Sequence, residues 1–214
     1  MYTGIVTQRA TVSEIGPRSP AGEGAVRIGI ALEREIPGLA IGDSVALDGC
    51  CLTVVELGTR RAVFEAVPET LRRTTLGARR VGDRLNVEAP LRAGDALGGH
   101  FVQGHVDGVG IVEAVSRDGD DVRMTVRLPK ALVGATIEKG SVAIDGVSLT
   151  VGESDDERFS VYLIPQTLSA TGLSAKRVGD AVNLEADVVG RYVEHHVRRA
   201  LATRRADAAR EASS

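Results

Sequence analysis

The feature that most limits what this chain can fold into is that it contains one stretch of itself twice. Ser44-Val45-Ala46-Leu47-Asp48-Gly49-Cys50-Cys51-Leu52-Thr53-Val54 lies over Ser141-Val142-Ala143-Ile144-Asp145-Gly146-Val147-Ser148-Leu149-Thr150-Val151 at a shift of 97. The same shift puts Val67-Pro68-Glu69-Thr70-Leu71 on Ile164-Pro165-Gln166-Thr167-Leu168. It also puts Asn86 and Glu88 on Asn183 and Glu185, with no gap from 44 to 89. Upstream, Thr3-Gly4-Ile5-Val6 matches Gln103-Gly104-His105-Val106 at a shift of 100. A repeat this long exceeds the roughly 20 to 50 residues of solenoid units, so each copy is expected to enclose its own core. The chain therefore divides into residues 1–97, residues 98–187, and a segment 188–214 that has no counterpart after the first copy.

Within each copy the pattern is that of an all-β body. Twenty-five glycines, abundant valine and only three Phe and three Tyr favour short strands with aliphatic packing and tight turns. Residues 44–49 and 52–57 read as strands around a turn, residues 61–67 as a third, and residues 84–88 as a fourth. Five to seven strands per copy point to a small closed barrel, because closure removes the edges that an open sheet of this size would expose. A short helix is expected over residues 69–76, opened by Glu69 or Thr70. From Asp187 onward, Val188-Val189, Tyr192-Val193, His196-Val197 and Ala200-Leu201 recur every three to four residues between arginines, the spacing of an amphipathic helix. Its apolar stripe is expected to be buried against other subunits rather than on its own barrels.

Composition excludes several function classes. With 214 residues, 43% of them hydrophobic, and a net charge of −3, the chain is not disordered as a whole. No apolar run approaches the roughly 18 to 20 residues of a membrane span, and residues 1–5 lack the start of a signal peptide, so a soluble cytoplasmic protein is expected. Twenty-six Lys and Arg against 29 Asp and Glu, with no Trp, argue against nucleic acid as a partner. The two cysteines, Cys50 and Cys51, are neighbours and are read as free thiols. His100 and His105 stand five apart with no Cys or acidic motif beside them, so no metal site is expected. No Gly-rich phosphate cradle occurs, which favours a neutral ligand.

The two copies differ where chemistry would need them to differ. Cys51 in the first is Ser148 in the second, and by alternation each shares a face with its own threonine, Thr53 or Thr150. A small buried core residue is the ordinary reading of Cys51. His105 replaces Ile5, which makes it a candidate base near neutral pH. Lys139 replaces Gly42, either as a ligand-binding charge or as a solvated lysine. Asp187 is either part of a site or the N-cap of the helix that follows.

Taken together, Met1-Tyr2-Thr3-Gly4-Ile5-Val6, Gly49-Cys50-Cys51-Leu52-Thr53-Val54, the run from Gly98 to Gly108, Lys139-Gly140, residues 144–151 and residues 163–168 resemble the riboflavin synthases of the α-chain type. The resemblance covers about residues 1–200 and includes the duplication. It implies two six-stranded Greek-key barrels, each binding one 6,7-dimethyl-8-ribityllumazine, and a C-terminal helix that gathers three chains into a trimer. The reaction it implies transfers a four-carbon unit between two such molecules, giving riboflavin and 5-amino-6-ribitylaminouracil without metal or redox cofactor. Its partners would be that substrate and, as a further association, lumazine synthase.

By the same resemblance the catalytic candidates are Cys51, His105, Ser148, Thr150, Asp187 and Tyr2. Substrate binding falls to Gly4, Ile5, Val6, Ser44, Cys51, Leu52 and Thr53, to Glu65, Ala66, Val67, Pro68, Glu69 and Thr70, and to Gly104, His105, Val106 and Lys139. In the second copy it falls to Ser148, Leu149, Thr150, Ile164, Pro165, Gln166, Thr167, Leu168 and Ser169. Two departures stand out: Tyr2 where the family usually has Phe, and Ala89-Pro90-Leu91 where it commonly continues with Arg and Ala. The first adds a hydroxyl that needs a partner if buried, and the second stiffens the link between the copies. The rival readings are a noncatalytic lumazine- or flavin-binding protein of the same fold, and a structural barrel with no small ligand.

Overall fold

The computed structural model describes residues 1–17 and 24–211, so the last three residues of the expected tail lie outside the described residues. In the first copy the strands are β1 (Gln8–Pro17), β2 (Val26–Leu32), β3 (Ser44–Leu47), β4 (Cys50–Gly58) and β5 (Arg61–Ala66). Helix α1 (Pro68–Arg73) and β6 (Arg84–Glu88) complete it. The second copy repeats the order with β7 (Gly108–Asp118), β8 (Asp121–Arg127), β9 (Ser141–Ile144), β10 (Val147–Ser154), β11 (Arg158–Leu163), α2 (Pro165–Ala170) and β12 (Ala181–Ala186). Helix α3 (Val188–Glu211) ends the described chain.

Each copy closes into a six-stranded antiparallel barrel, β1-β2-β5-β4-β3-β6 and β7-β8-β11-β10-β9-β12. Closure comes from β6, which pairs with both β1 and β3. In each barrel the second strand lies beside the fifth instead of the third, the Greek-key crossing. Alternation drives the walls: Cys50, Leu52 and Val54 point inward from β4, as Val147, Leu149 and Val151 do from β10. Inside the first barrel they meet Val12, Ile28, Ile30, Phe64 and Leu85, and inside the second they meet Val112, Met124, Phe159, Val161 and Leu184. Each such side chain contributes about 1.5 to 3 kcal/mol when fully buried.

Two details differ from the sequence reading. The hairpin turn falls at Asp48-Gly49 rather than at Cys50-Cys51, because Leu47 pairs directly with Cys50 and leaves a two-residue loop. Asp48 and Gly49 take positive φ of 45° and 76°, the left-handed geometry that an Asp-Gly pair accepts at little cost. The short helix opens at Pro68 instead of Glu69 or Thr70, since proline's fixed φ suits the first helical position and its missing N–H is no loss there. A separate 3-10 turn, Thr75–Ala78, follows it.

The equivalent turn, Asp145-Gly146, meets Asp48-Gly49 tip to tip across a pseudo-twofold axis. A Cβ on Gly49 would stand 2.6 Å from the Gly146 nitrogen, and one on Gly146 would stand 2.7 Å from the Gly49 nitrogen. Asn86 donates to the Asp145 carbonyl (2.9 Å) and accepts from the Gly172 N–H (2.7 Å). Asn183 returns both bonds, to the Asp48 carbonyl (2.8 Å) and from the Thr75 N–H (2.7 Å). Each Asp carboxylate accepts from the backbone of the asparagine in its own barrel and pairs with a cation, Asp48 with Arg79 and Asp145 with Lys176, both at 2.6 Å. The stiff Ala89-Pro90-Leu91 link is tethered through the Leu91 N–H to the Met1 carbonyl (2.9 Å). No helix among the described residues is long and apolar enough to cross a membrane.

Asn86→Leu leaves a buried carbonyl and a partly buried N–H without partners and should cost about 3 kcal/mol in urea unfolding; a loss below about 1 kcal/mol would count against the asparagine exchange as the inter-barrel lock. Burial, and then the facing Asp145, push the Asp48 carboxyl up to about 7 against the pull of Arg79. A carboxyl raised above its unfolded value of about 4 holds its proton longer in the folded state, so its contribution to stability falls as pH rises from about 4 to about 7. Asp48→Asn, which tolerates the same φ, should therefore gain on the parent protein as pH rises across that window. Unfolding free energies at both ends test this, and a difference independent of pH would contradict it.

Candidate functional site

Two arms precede the barrels, residues 1–7 and 98–107, and they run side by side between them. Tyr2 N–H donates to the Val102 carbonyl (2.7 Å), and Val102 N–H returns the bond (3.1 Å). Each arm is held by a buried carboxylate from the last strand of its own barrel. Glu88 accepts from the Thr3 N–H (2.7 Å), the Thr3 hydroxyl (2.8 Å) and the Gly4 N–H (3.0 Å). Glu185 accepts from the Gln103 N–H (2.6 Å) and the Gly104 N–H (3.0 Å). Burial raises both carboxyls above the ordinary range, and these hydrogen bonds pull them back.

Each arm then reaches across to the other barrel. Gly4 accepts from the Ser148 N–H (2.8 Å) and Gly104 from the Cys51 N–H (2.9 Å). Both glycines have positive φ, and a Cβ on either would lie 2.5 Å from the Cβ of the residue it faces, so no larger residue fits. Val6 packs against the core of the second barrel and Val106 against the core of the first. Cys51 is thus bordered by Gly104, His105 and Val106, while Ser148 is bordered by Gly4, Ile5 and Val6. Both stand half-buried on the outer faces of β4 and β10, with Thr53 and Thr150 exposed on the same faces. Ser44 lies opposite Thr53 in the ladder.

The two equivalent positions have unlike partners. The Cys51 sulfur accepts from the Tyr2 hydroxyl at 3.2 Å. The Ser148 hydroxyl lies 2.7 Å from His100 Nδ1. His100 is buried and its Nε2 has no hydrogen-bond partner among the described residues. Burial lowers its pKa, while the charge of Asp187 works the other way. The ring is therefore neutral near pH 7, with a carboxylate close enough to favour the imidazolium once a proton arrives. Cys50 points inward, and burial pushes its thiol up to about 12.

The other candidates are spread over several elements of the two copies. Asp187 caps α3 through the Val189 N–H (2.9 Å), and its charge also reaches His100. His105 has an exposed ring, and its backbone N–H turns to Glu185. Lys139 is exposed at a φ of 64°, a left-handed conformation that costs a lysine about 1 kcal/mol, where Gly42 takes 93° freely. Glu65 and Ala66 end β5, Val67 is exposed, and Pro68 opens α1. Glu69 is turned to Arg72 and Arg73, whose hydrogen bonds hold its carboxyl below the usual range. The Thr70 and Thr167 carbonyls close α1 and α2 onto Thr74 and Thr171. Ile164, Pro165 and Gln166 are exposed; Ser169 bonds the Gln166 carbonyl, and Leu168 packs on the barrel. Leu52, Leu149 and Ala66 face the barrel interiors, which leaves only their backbones for the outer face.

Three residues that the sequence does not mark as functional contribute here: His100, Glu88 and Glu185. The glutamates recur at the repeat shift and were legible as a pair, whereas His100 has no partner in the first copy to mark it. Among the described residues no group of three His, Cys, Asp or Glu is placed to hold a metal ion.

The lumazine binding domain family matches this chain twice, over residues 3–90 and 103–187. Riboflavin synthase of Actinobacillus pleuropneumoniae is 37% identical over 91% of this chain and 88% of its own length. That of Mycobacterium bovis is 40% identical over 94% of this chain and its whole length. Among solved structures, LumP complexed with riboflavin superposes with a TM-score of 0.75 at 26% identity, covering 87% of this chain and 99% of the other.

Charge-assisted hydrogen bonds of this kind contribute about 1.5 to 3 kcal/mol each. Glu185→Gln should therefore speed deuterium exchange at the Gln103 and Gly104 amides by about tenfold or more. Unchanged exchange at both would show that Glu185 does not hold the arm.

Proposed function

The chain belongs to the lumazine-binding domain family, and we propose that it acts as a riboflavin synthase, a transferase that converts two molecules of 6,7-dimethyl-8-ribityllumazine into riboflavin and 5-amino-6-ribitylaminouracil. A reaction that consumes two copies of one molecule suits a duplicated binding unit, since each copy can hold one reactant at high effective concentration. The division follows the repeat: residues 1–97 and 98–187 each make one lumazine-binding unit, and residues 188–214 carry the helix and tail.

The observation that carries this reading is the unequal equipment of two repeated positions, thiol and phenol at Cys51, hydroxyl and imidazole at Ser148. Donor and acceptor of a four-carbon unit need different groups. In this reading His100 takes the Ser148 proton as a neutral base, and Asp187 favours the imidazolium that results. Thr53 and Thr150, with the backbone of the crossing arms and the threonines of the Pro-x-Thr-Leu loops, offer the neutral donors and acceptors that a pteridine ring and a ribityl chain require. His105 and Lys139 are both exposed, and in this reading they serve as ligand-binding groups.

Helix α3 is the element for a homotrimer. Val189, Val193, Val197 and Leu201 are at least half exposed on it, and a cavity of about 560 Å³ opens between the helix and the second barrel, lined by Ile137, Asp187 and Val193. Burying that stripe against other copies would bring barrels of different subunits together. The protein would work in the cytoplasm, with lumazine synthase as a candidate associate.

The test is direct. Purified protein is incubated with 6,7-dimethyl-8-ribityllumazine alone, and riboflavin is followed by absorbance and fluorescence. One riboflavin should form for every two lumazines lost. Ser148→Ala and His100→Gln should each lower kcat about 100-fold or more with a smaller change in KM. Tight binding without product would instead make the chain a lumazine-holding relative.

A further inference from the structure

Position 2 breaks the symmetry of the two arms. Tyr2 lies opposite Val102 in the arm pair, and of the two only Tyr2 carries a polar group. Its side chain is fully buried, so the hydroxyl needs a partner inside the protein, and the partner is the Cys51 sulfur at 3.2 Å. The contact depends on Gly104, because a Cβ there would come within 3.0 Å of the tyrosine ring and 2.5 Å of the Cys51 Cβ. Cys51 is therefore held twice, through its N–H by the Gly104 carbonyl and through its sulfur by the phenol.

The direction of this bond matters. The tyrosine donates, so the sulfur's own proton is free to point away from the arm, toward the outer face shared with Thr53. Burial first, then Cys51, Glu88 and Cys50, hold the phenol far above its ordinary pKa. It stays protonated and remains a donor over the working pH range. A donor aimed at a sulfur acts most strongly when that sulfur gains negative charge, because hydrogen bonds to ionised acceptors are the stronger ones.

We propose that the Tyr2 hydroxyl is a positioning residue for Cys51: it fixes the sulfur on the outer face of the first barrel and stabilises it as it becomes anionic. For turnover this rests on the function proposed above; for thiol reactivity it stands by itself. The second barrel has no such device at Val102, and Ser148 relies on His100 instead.

Full-length protein and Tyr2→Phe, which keeps the ring and removes only the hydroxyl, are compared in alkylation by iodoacetamide. The modified residue is located by fragment mass spectra, since Cys50 adjoins Cys51. Cys51 should react about tenfold more slowly in Tyr2→Phe at pH 7, with the gap closing at alkaline pH where thiols ionise without help. Equal rates at pH 7, or a gap that does not change with pH as a steric effect would give, overturns the proposal. With lumazine as substrate, kcat of Tyr2→Phe should fall several-fold while KM moves less than twofold. Slower alkylation in a protein that shows no turnover at all would sink the enzymatic reading and leave the positioning role standing. Turnover with unaltered alkylation would do the reverse. If Tyr2→Phe does not fold, replacement of the tyrosines by 3-fluorotyrosine, a more acidic phenol, should speed Cys51 alkylation several-fold at pH 7, and an unaltered rate overturns the proposal equally.

Discussion

The molecule depends on the place where two Asp-Gly turns touch. Each barrel has its own apolar interior and closes without help from the other, yet neither half-site is complete alone. The pseudo-twofold contact at Gly49 and Gly146 decides how the barrels sit, because backbone meets backbone there with no room for a Cβ. Asn86 and Asn183 then make that arrangement specific, each satisfying groups in the opposite copy that would otherwise be orphaned in a buried seam. Asp48 and Asp145 hold those asparagines and are themselves held by Arg79 and Lys176.

Once the barrels are fixed, the arms can cross. Glu88 and Glu185 grip the arms through backbone N–H groups, so the arms are set by main-chain geometry more than by their side chains. That frees their side chains to diverge between the copies. Thr3 is matched by Gln103, Ile5 by His105 and Tyr2 by Val102, while both glycines are kept by the close approach. The outcome is a symmetric scaffold with asymmetric contents: a phenol against a thiol on one side, and an imidazole against a hydroxyl on the other. Such a combination suits a reaction in which two identical molecules must play different parts.

Some of this is legible in the chain itself. The barrel walls were legible because alternation is local: Cys50, Leu52 and Val54 had to face one way and Cys51 and Thr53 the other. Helix α3 was legible from the spacing of Val189, Val193 and Val197, and the cap from Asp187. The hairpin turn lies two residues earlier than the apolar runs suggest, because Asp48-Gly49 is the pair whose backbone preferences favour a two-residue turn and Cys50 already pairs with Leu47. His100 has no counterpart in the first copy, so comparing the copies does not single it out.

Two similar β domains with a terminal helix, and the equivalence of Cys51 and Ser148, follow from the order of residues along the chain. Periodicity and self-similarity carry that much, since both are properties of neighbouring residues and of the chain against itself. The folded molecule alone reveals that the arms cross to the opposite barrel at Gly4 and Gly104, while Tyr2 meets Cys51 and His100 meets Ser148 within their own copies. Those two side-chain pairs join residues 49 and 48 positions apart within one copy, beside a seam whose geometry is set by buried hydrogen bonds between the copies. No local pattern encodes a contact of that kind. It exists because the turns, asparagines and glutamates leave the arms one place in which every buried polar group is answered.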